Sequence, residues 1–254
     1  MATRIDLAGT VALVTGASRG LGRAIALALA EAGADLALTA RSRDDLGRTA
    51  AEAATRGVRA EVFAGDARRA GDIQAVVAGA LHAFGRIDTL VNNAGAAGAE
   101  KPVLELDAAD WDEVLALNLR APALWAREAA RAMVERRRGR IVNVASIGAL
   151  TPIARLGPYC ASKAGLVQLT RVMAVELARH NVQVNAVCPG YFATPMNEAF
   201  FATAKGQEMI QRSIPMRRLG EPAELGPTVV FLASEASSFM TGSVVVVDGG
   251  QTLT

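Results

Sequence analysis

Thr15-Gly16-Ala17-Ser18-Arg19-Gly20-Leu21-Gly22 is the stretch on which the reading of this chain turns. It follows the short apolar run Val11 to Thr15 and opens a helix-like pattern from Arg19 to Ala32, which stops at Gly33, a natural helix C-cap. Glycines between a strand and a helix permit a tight turn. They also let a pyrophosphate approach backbone N–H groups at the helix N-terminus. The spacing is Gly-x-x-x-Gly-x-Gly. Alone it would equally mark a plain strand–helix turn; its place in the first unit of an alternating chain points to a dinucleotide.

That alternation continues to the C-terminus. Leu36 to Thr39 is apolar, and Asp44 to Thr55 is helical in pattern. Strand-like Arg59 to Ala64, helical Gly71 to Phe84 and strand-like Thr89 to Asn92 follow. A long helix is expected over about Ala108 to Glu135, a strand over Arg140 to Ser146, and a helix over about Tyr159 to Ala178. Val182 to Cys188, Glu221 to Ala233 and Ser243 to Val247 read as strand, helix and strand. Short apolar strands alternating with helices predict a Rossmann-type, doubly wound parallel sheet of about seven strands, covered on both faces. No Pro/Ser-rich linker divides the chain, so residues 1–254 are expected to form one domain. Tyr191 to Met216 fits no strand–helix unit, and long irregular segments in compact domains are usually functional or mobile.

Composition narrows the class. The 254 residues are 51% apolar and 20% charged, which describes a globular chain with a sizeable core. A net charge of +2 gives no global field for nucleic acid or an acidic partner. Arg136-Arg137-Arg138 reads as the solvated end of a helix, where cations are favoured. Cys160 and Cys188 read as small core fillers in a reducing compartment, and no metal site is expected from His82 and His180. Met1 to Gly9 lacks the apolar core of a signal peptide, and there is no run of ~18 apolar residues that would span a membrane. A soluble cytoplasmic protein is expected.

Further motifs follow the glycine loop. They are Asn92-Asn93-Ala94-Gly95 after the fourth strand, Asn118 in the long helix, Ser146 after the fifth strand, Tyr159-x-x-x-Lys163, and Pro189-Gly190 with Thr194 after the sixth. Together, in this order and spacing, they resemble the short-chain dehydrogenase/reductase family over essentially the whole chain. The resemblance implies an NAD(P)(H)-dependent oxidoreductase that interconverts a carbonyl and a secondary alcohol.

The residue types suit that chemistry. Carbonyl reduction needs a hydride, which a nicotinamide cofactor supplies, and a proton for the developing alkoxide. Tyr159 and Lys163 lie four apart on a predicted helix and share a face. A free tyrosine titrates near ~10, and a neighbouring ammonium is expected to lower that value and make the pair an acid/base. Ser146, at a strand end where ligands gather, could hydrogen-bond the reacting oxygen. By resemblance, Lys163 also holds the nicotinamide ribose, and Asn118 anchors a water beside it. Taken singly, each would be an ordinary helix-face or strand-end residue.

For the cofactor, no acidic residue ends the second strand, where one would grip a ribose 2′-hydroxyl. Arg41 follows there at once, and Arg19 sits in the glycine loop. Guanidinium groups suit a 2′-phosphate, so NADP(H) is expected, with NAD(H) as the alternative. The remaining cofactor contacts follow from the resemblance: Gly16, Ser18, Gly20, Leu21 and Gly22 at the pyrophosphate, Asp66 and Ala67 at the adenine. Asn92, Ala94 and Gly95 line the adenosine and ribose, and Pro189, Gly190, Phe192 and Thr194 meet the nicotinamide.

Met196, Phe200, Phe201, Met209 and Ile210 put apolar side chains on the irregular segment, which reads as a lid over substrate at about 191–216; short helices that merely pack on the body are the alternative. Gly148, Ala149 and Leu150 are expected to face the substrate. Family members with this layout reduce 3-oxoacyl thioesters, oxidise sugars or sugar acids, or act on other ketones. Pro215 to Pro222 and Thr241 to Gly250 have a flavour of the sugar-acid dehydrogenases. A cofactor-binding regulator without catalysis is the reading from another class, and the presence of Tyr159 and Lys163 argues against it. Ala126, Ala129, Ala130 and Ala132 would allow close helix packing between copies, and a homotetramer is expected.

Overall fold

Each short apolar run forms a strand. In chain order these are β1 (Val11–Thr15), β2 (Asp35–Ala40), β3 (Ala60–Ala64), β4 (Thr89–Asn92), β5 (Gly139–Val144), β6 (Val182–Pro189) and β7 (Val244–Val247). The computed structural model describes residues 5–195 and 197–253. The start of the stretch read as lacking an apolar leader, Met1 to Arg4, and Met196 of the lid segment lie outside the described residues. One parallel sheet takes the seven strands in the order β3-β2-β1-β4-β5-β6-β7. β1, β4, β5 and β6 are buried at every position, as strands covered on both faces must be, while the edge strands β3 and β7 are only partly buried.

The helices are α1 (Gly20–Glu31), α2 (Arg43–Ala54), α3 (Ala70–Phe84), α4 (Ala108–Leu115), α5 (Ala121–Glu135), α6 (Gly157–Leu177), α7 (Glu198–Phe201), α8 (Ala204–Ser213) and α9 (Pro222–Ala233). Alternation along the strands sorts the core into two layers. Ala12, Val14, Leu36 and Leu38 pack with α1, α2 and α9. Leu13, Ala37, Leu90 and Ile141 pack with α3, α5 and α6. Gly226 lets α1 and α9 approach closely, since a Cβ there would stand 2.5 Å from the Ala28 Cβ.

Three expectations change. The helix expected over Ala108 to Glu135 breaks into α4, a π-helical turn over Ala116–Arg120, and α5. Pro122, in the first turn of α5, has no N–H to give the Asn118 carbonyl, so the α-helical ladder cannot run through. Tyr191 to Met216 is not irregular: it carries α7 and α8, with Phe201, Ile210 and Ile214 forming a small apolar cluster with Tyr191, Met209 and Leu219. Ala126, Ala129 and Ala130 face the chain's own core and are buried there, so they offer no surface to a second copy.

The arginine cluster is the exposed end of α5, as expected, and its side chains also find partners there. Arg136 pairs with Asp88 at 3.1 Å, Arg137 donates to the Arg179 carbonyl, and Arg138 pairs with Glu235. Asp88, 5% exposed, is the centre of this end of the sheet. Its carboxylate accepts from the Val11 N–H at 2.9 Å and from Arg86 Nε and Nη2 at 2.6 Å. Burial works against its charge, but the Arg86 hydrogen bonds, the Val11 N–H and the Arg136 charge outweigh it and hold Asp88 below its ordinary value. A depressed carboxylate contributes stability above its unfolded pKa, here 3.8, that is lost as pH falls through the folded value. Asp88→Asn should cost about 2–3 kcal/mol, between a charged hydrogen bond and a fully buried pair. At about 2–4 °C per kcal/mol for a chain of this size, thermal melting at neutral pH should show a fall of several degrees, shrinking at acid pH. An unchanged melting temperature would remove Asp88 from this role.

Candidate active site

The site forms where the carboxyl ends of β1 and β4 lie side by side, the point at which the sheet's connections part in opposite directions. The glycine loop follows β1. Gly16 N–H and Ala17 N–H donate to the Thr39 carbonyl at 2.8 and 3.3 Å, which ties the loop to β2. Gly16 has φ of 67°, and Gly22 is packed so tightly that a Cβ would stand 2.2 Å from the Gly16 carbonyl oxygen. The N-terminus of α1 has Arg19 as its cap residue, with no side-chain cap bond and no acid in the first turn. Its backbone donors are therefore free for an anion. Ser18, Gly20 and Leu21 flank these donors. Thr194 faces them across the cleft, 3.8 Å from the Cβ position of Gly20.

Asn93 locks this arrangement. Its Nδ2 donates to the Thr15 carbonyl at 2.9 Å and the Gly16 carbonyl at 3.3 Å, while Asn93 N–H and Ala94 N–H donate to Thr15 Oγ1. The role assigned to Asn92 changes: its side chain is buried and donates to Asn143 Oδ1 and the Pro122 carbonyl, pinning β4 to β5 rather than facing the cleft. Gly95 lies beside the chemistry, for a Cβ there would stand 3.2 Å from Asn118 Oδ1 and 3.4 Å from Lys163 Nζ.

Ser146 lies two residues past β5, capping a short 3-10 turn by accepting from the Gly148 N–H. Tyr159 is in the first turn of α6, next to Pro158, and Lys163 is one turn on, 4% exposed. Asn118 is fully buried. Its amide donates to the Ala96 carbonyl at 2.8 Å and to Ser162 Oγ at 3.1 Å, and its Oδ1 accepts from Ala96 N–H. Ser162 Oγ in turn donates to the Tyr159 carbonyl. Asn118 and Lys163 thus meet at Gly95, while Tyr159, one turn before Lys163 on α6, interacts with Ser146. The Asn118 side chain is committed to the loop after β4, and Pro122, four residues on, has no N–H to give its carbonyl.

The tyrosine's electrostatics are not those expected. Burial raises Tyr159 above its ordinary value, and a hydrogen bond with Ser146 is what opposes this. Lys163 Nζ sits 5.8 Å from the ring centroid and donates to the Val144 carbonyl at 2.8 Å instead of to the phenol. Burial pulls Lys163 itself down to about 8.

On the adenosine side, Arg19, Arg41 and Arg43 are exposed, and their side chains bond to none of the described residues. Asp66, next to Ala67, is held at about 2, chiefly by its hydrogen bond from Arg68. On the nicotinamide side, Pro189 ends β6 and Gly190 N–H donates to the Val247 carbonyl. Phe192 is buried and bridges Gly220. Asn197 organises this turn: it donates to the Phe192 carbonyl and accepts from Thr194 N–H and Oγ1. Asn93, Asn197, Arg68 and Pro122 are residues that sequence reasoning passed over. Asn93 stood inside a quoted motif and Pro122 four residues after Asn118, so both carried a readable signal. The donor-rich helix end, the unpaired arginines and the glycine-lined cleft fit a phosphorylated dinucleotide.

The family model described as enoyl-(acyl carrier protein) reductase matches residues 16–252. Gluconate 5-dehydrogenase of Gluconobacter oxydans (strain 621H) is 37% identical over 248 residues, covering 98% of this chain and 96% of its own. A structure described as a short-chain alcohol dehydrogenase from Sinorhizobium meliloti 1021 superposes with a TM-score of 0.95 at 41% identity, over 99% of this chain and 100% of that one. Another, described as an NAD(P)-dependent gluconate 5-dehydrogenase from Beutenbergia cavernae with NADP bound at low occupancy, gives 0.93 at 38% identity, over 99% and 100%. With seven parallel strands wound in this order and the serine, tyrosine and lysine converging beyond β5, the chain belongs to the short-chain dehydrogenase/reductase family of oxidoreductases acting on C–OH and C=O groups.

Proposed function

We propose that this oxidoreductase interconverts a hydroxyl and a keto group on a sugar acid, using NADP(H) in preference to NAD(H), with Tyr159 as the acid/base. The convergence of Ser146 and Tyr159 on one hydrogen-bonded site, with Lys163 one helical turn away, carries the mechanism. The gluconate dehydrogenase relatives support the substrate class. The unpaired Arg19 and Arg41, with no acid at the end of β2, support the 2′-phosphate.

When bound, the nicotinamide supplies or accepts the hydride. The chain's residues do the rest. Ser146 Oγ orients the reacting oxygen, and the Tyr159 hydroxyl gives it a proton in reduction or takes one in oxidation. A tyrosine raised by burial is a good donor but a reluctant base. Oxidation therefore needs Lys163 turned from the Val144 carbonyl toward the phenol and ribose, where its cation favours phenolate. The freed Asn118 carbonyl holds the water through which Lys163 exchanges protons with solvent. α7 and α8 act as the lid over substrate. Among the described residues no helix is long and apolar enough to cross a membrane. The protein works as a homotetramer, whose contacts would cover the exposed Val175, Phe239 and Leu253.

Three measurements test this reading. A screen at the nicotinamide absorbance band, crossing both cofactors with sugar acids, polyols, cyclic ketones and 3-oxoacyl thioesters, should give the highest kcat/KM with a sugar acid and NADP(H). A thioester preference would move the substrate class, and a higher kcat/KM with NAD(H) would overturn the cofactor. Tyr159→Phe should keep cofactor binding and lose about 10²–10⁴-fold in kcat; near-native kcat would refute the acid/base role. Light scattering should give a tetrameric mass, and a monomer would count against the assembly.

A further inference from the structure

Arg68, two residues after Asp66, folds back on that carboxylate. Its Nε donates to Asp66 Oδ1 at 3.1 Å, its Nη2 to Oδ2 at 2.8 Å, and its backbone N–H to Oδ1 at 3.0 Å. The turn is fixed from below, since Asp66 N–H donates to Asp72 Oδ2 at 2.8 Å. Glu113 lies against Arg68 more loosely, at 3.8 Å and largely exposed. This is a two-pronged pair with a backbone anchor, the geometry in which a guanidinium holds a carboxylate most firmly.

Its position gives it consequence. Arg41 and Asp66 follow the paired carboxyl ends of β2 and β3, where Ala40 lies opposite Ala64 and Gly65 N–H donates to the Ala40 carbonyl at 3.0 Å; the two charges interact there, yet the Arg41 side chain bonds to none of the described residues. An unclasped carboxylate beside Arg41 would do two things. It would draw Arg41 into an ion pair, and it would repel a phosphate dianion arriving at the same guanidinium. Arg68 prevents both by satisfying Asp66 first.

We propose that Arg68 is a cofactor-specificity residue: by clasping Asp66 it leaves Arg41 available to the 2′-phosphate of NADP(H) and offsets a carboxylate charge that would repel that phosphate. The inference rests on the NADP(H) reading above. Arg68 acts through Asp66 and Arg41 and is a positioning residue. A plainer role is a platform against the adenine, which NADP(H) and NAD(H) share and which would not discriminate between them.

The test is direct titration of the substrate-free enzyme with NADPH and NADH, followed by nicotinamide fluorescence, for the wild type, Arg68→Ala, Asp66→Asn and the double variant. Arg68→Ala should raise the NADPH Kd about three- to tenfold, the scale of one unscreened charge across a solvated cleft, and leave the NADH Kd nearly unchanged. Made on top of Asp66→Asn, the same substitution should no longer discriminate, because there is no carboxylate to neutralise. Equal weakening of both cofactors would replace the proposal with the adenine platform. A selective loss that persists without the Asp66 charge would make Arg68 a direct phosphate contact and overturn the clasp. A wild-type NADPH preference that Arg68→Ala leaves intact overturns this inference alone, whereas a wild type that binds NADH more tightly overturns the cofactor reading and this inference with it.

Discussion

Asn93 closes the gap between β1 and β4, and the site is built on that closure. These two strands are neighbours, yet the chain leaves one toward β2 and the other toward β5, so no connecting helix bridges their carboxyl ends. Such a switch point is a crevice by topology. Left to itself it would let the glycine loop and the loop after β4 move apart. The Asn93 amide and Thr15 Oγ1 join them with reciprocal hydrogen bonds at 2.9 to 3.3 Å. Through Gly95 the same loop reaches Asn118 and Lys163, and through Ala96 it takes both ends of the Asn118 amide. One small polar contact therefore keeps the glycine loop, Asn118 and Lys163 in a single rigid frame.

The parts of this frame that follow from local chemistry were readable in the sequence. Strand and helix periods, the glycine loop and the Tyr159–Lys163 spacing depend on neighbours along the chain, and the strands fall within one residue of where the apolar runs put them, apart from the carboxyl end of β5, which is two residues short. What could not be read depends on partners far along the chain. Asn92 and Asn93 are adjacent and chemically identical, yet one pins β4 to β5 and the other clamps the glycine loop. Strand alternation sends them opposite ways, and nothing local says which way faces the cleft. Asp88 binds Arg136, 48 positions on, so its importance is invisible without the fold. The break at Asn118 was legible in principle, because Pro122 sits four residues later and cannot complete the ladder.

The tyrosine–lysine pair shows where a spacing argument stops. Four residues apart does place both side chains on one face of α6. It does not decide which acceptor the ammonium chooses. In this structure Lys163 takes the Val144 carbonyl, and Tyr159 stays above its free value because burial dominates. Under the acid/base role proposed for Tyr159, its basic form would need a change that brings the ammonium to the phenol. A buried lysine held at about 8 is suited to that change, because it can give up or regain its proton near neutrality.

The two ends of the sheet spend their arginines differently, and this separates stability from function. At the amino end Arg86, Arg136, Arg138 and Arg140 are all paired, with Asp88 and Glu235 as their carboxylates. A charge that is half-buried costs free energy unless it is paired, so this end is closed and structural. At the carboxyl end Arg19, Arg41 and Arg43 are exposed, and their side chains bond to no described residue. Water covers their cost in the free protein, and a ligand phosphate can replace that water with bidentate bonds. Arg68 is the exception at this end, for it is already bound to the Asp66 carboxylate. On the cofactor reading proposed above, leaving these cations unpaired while Asp66 is paired off is what would favour an anionic ligand.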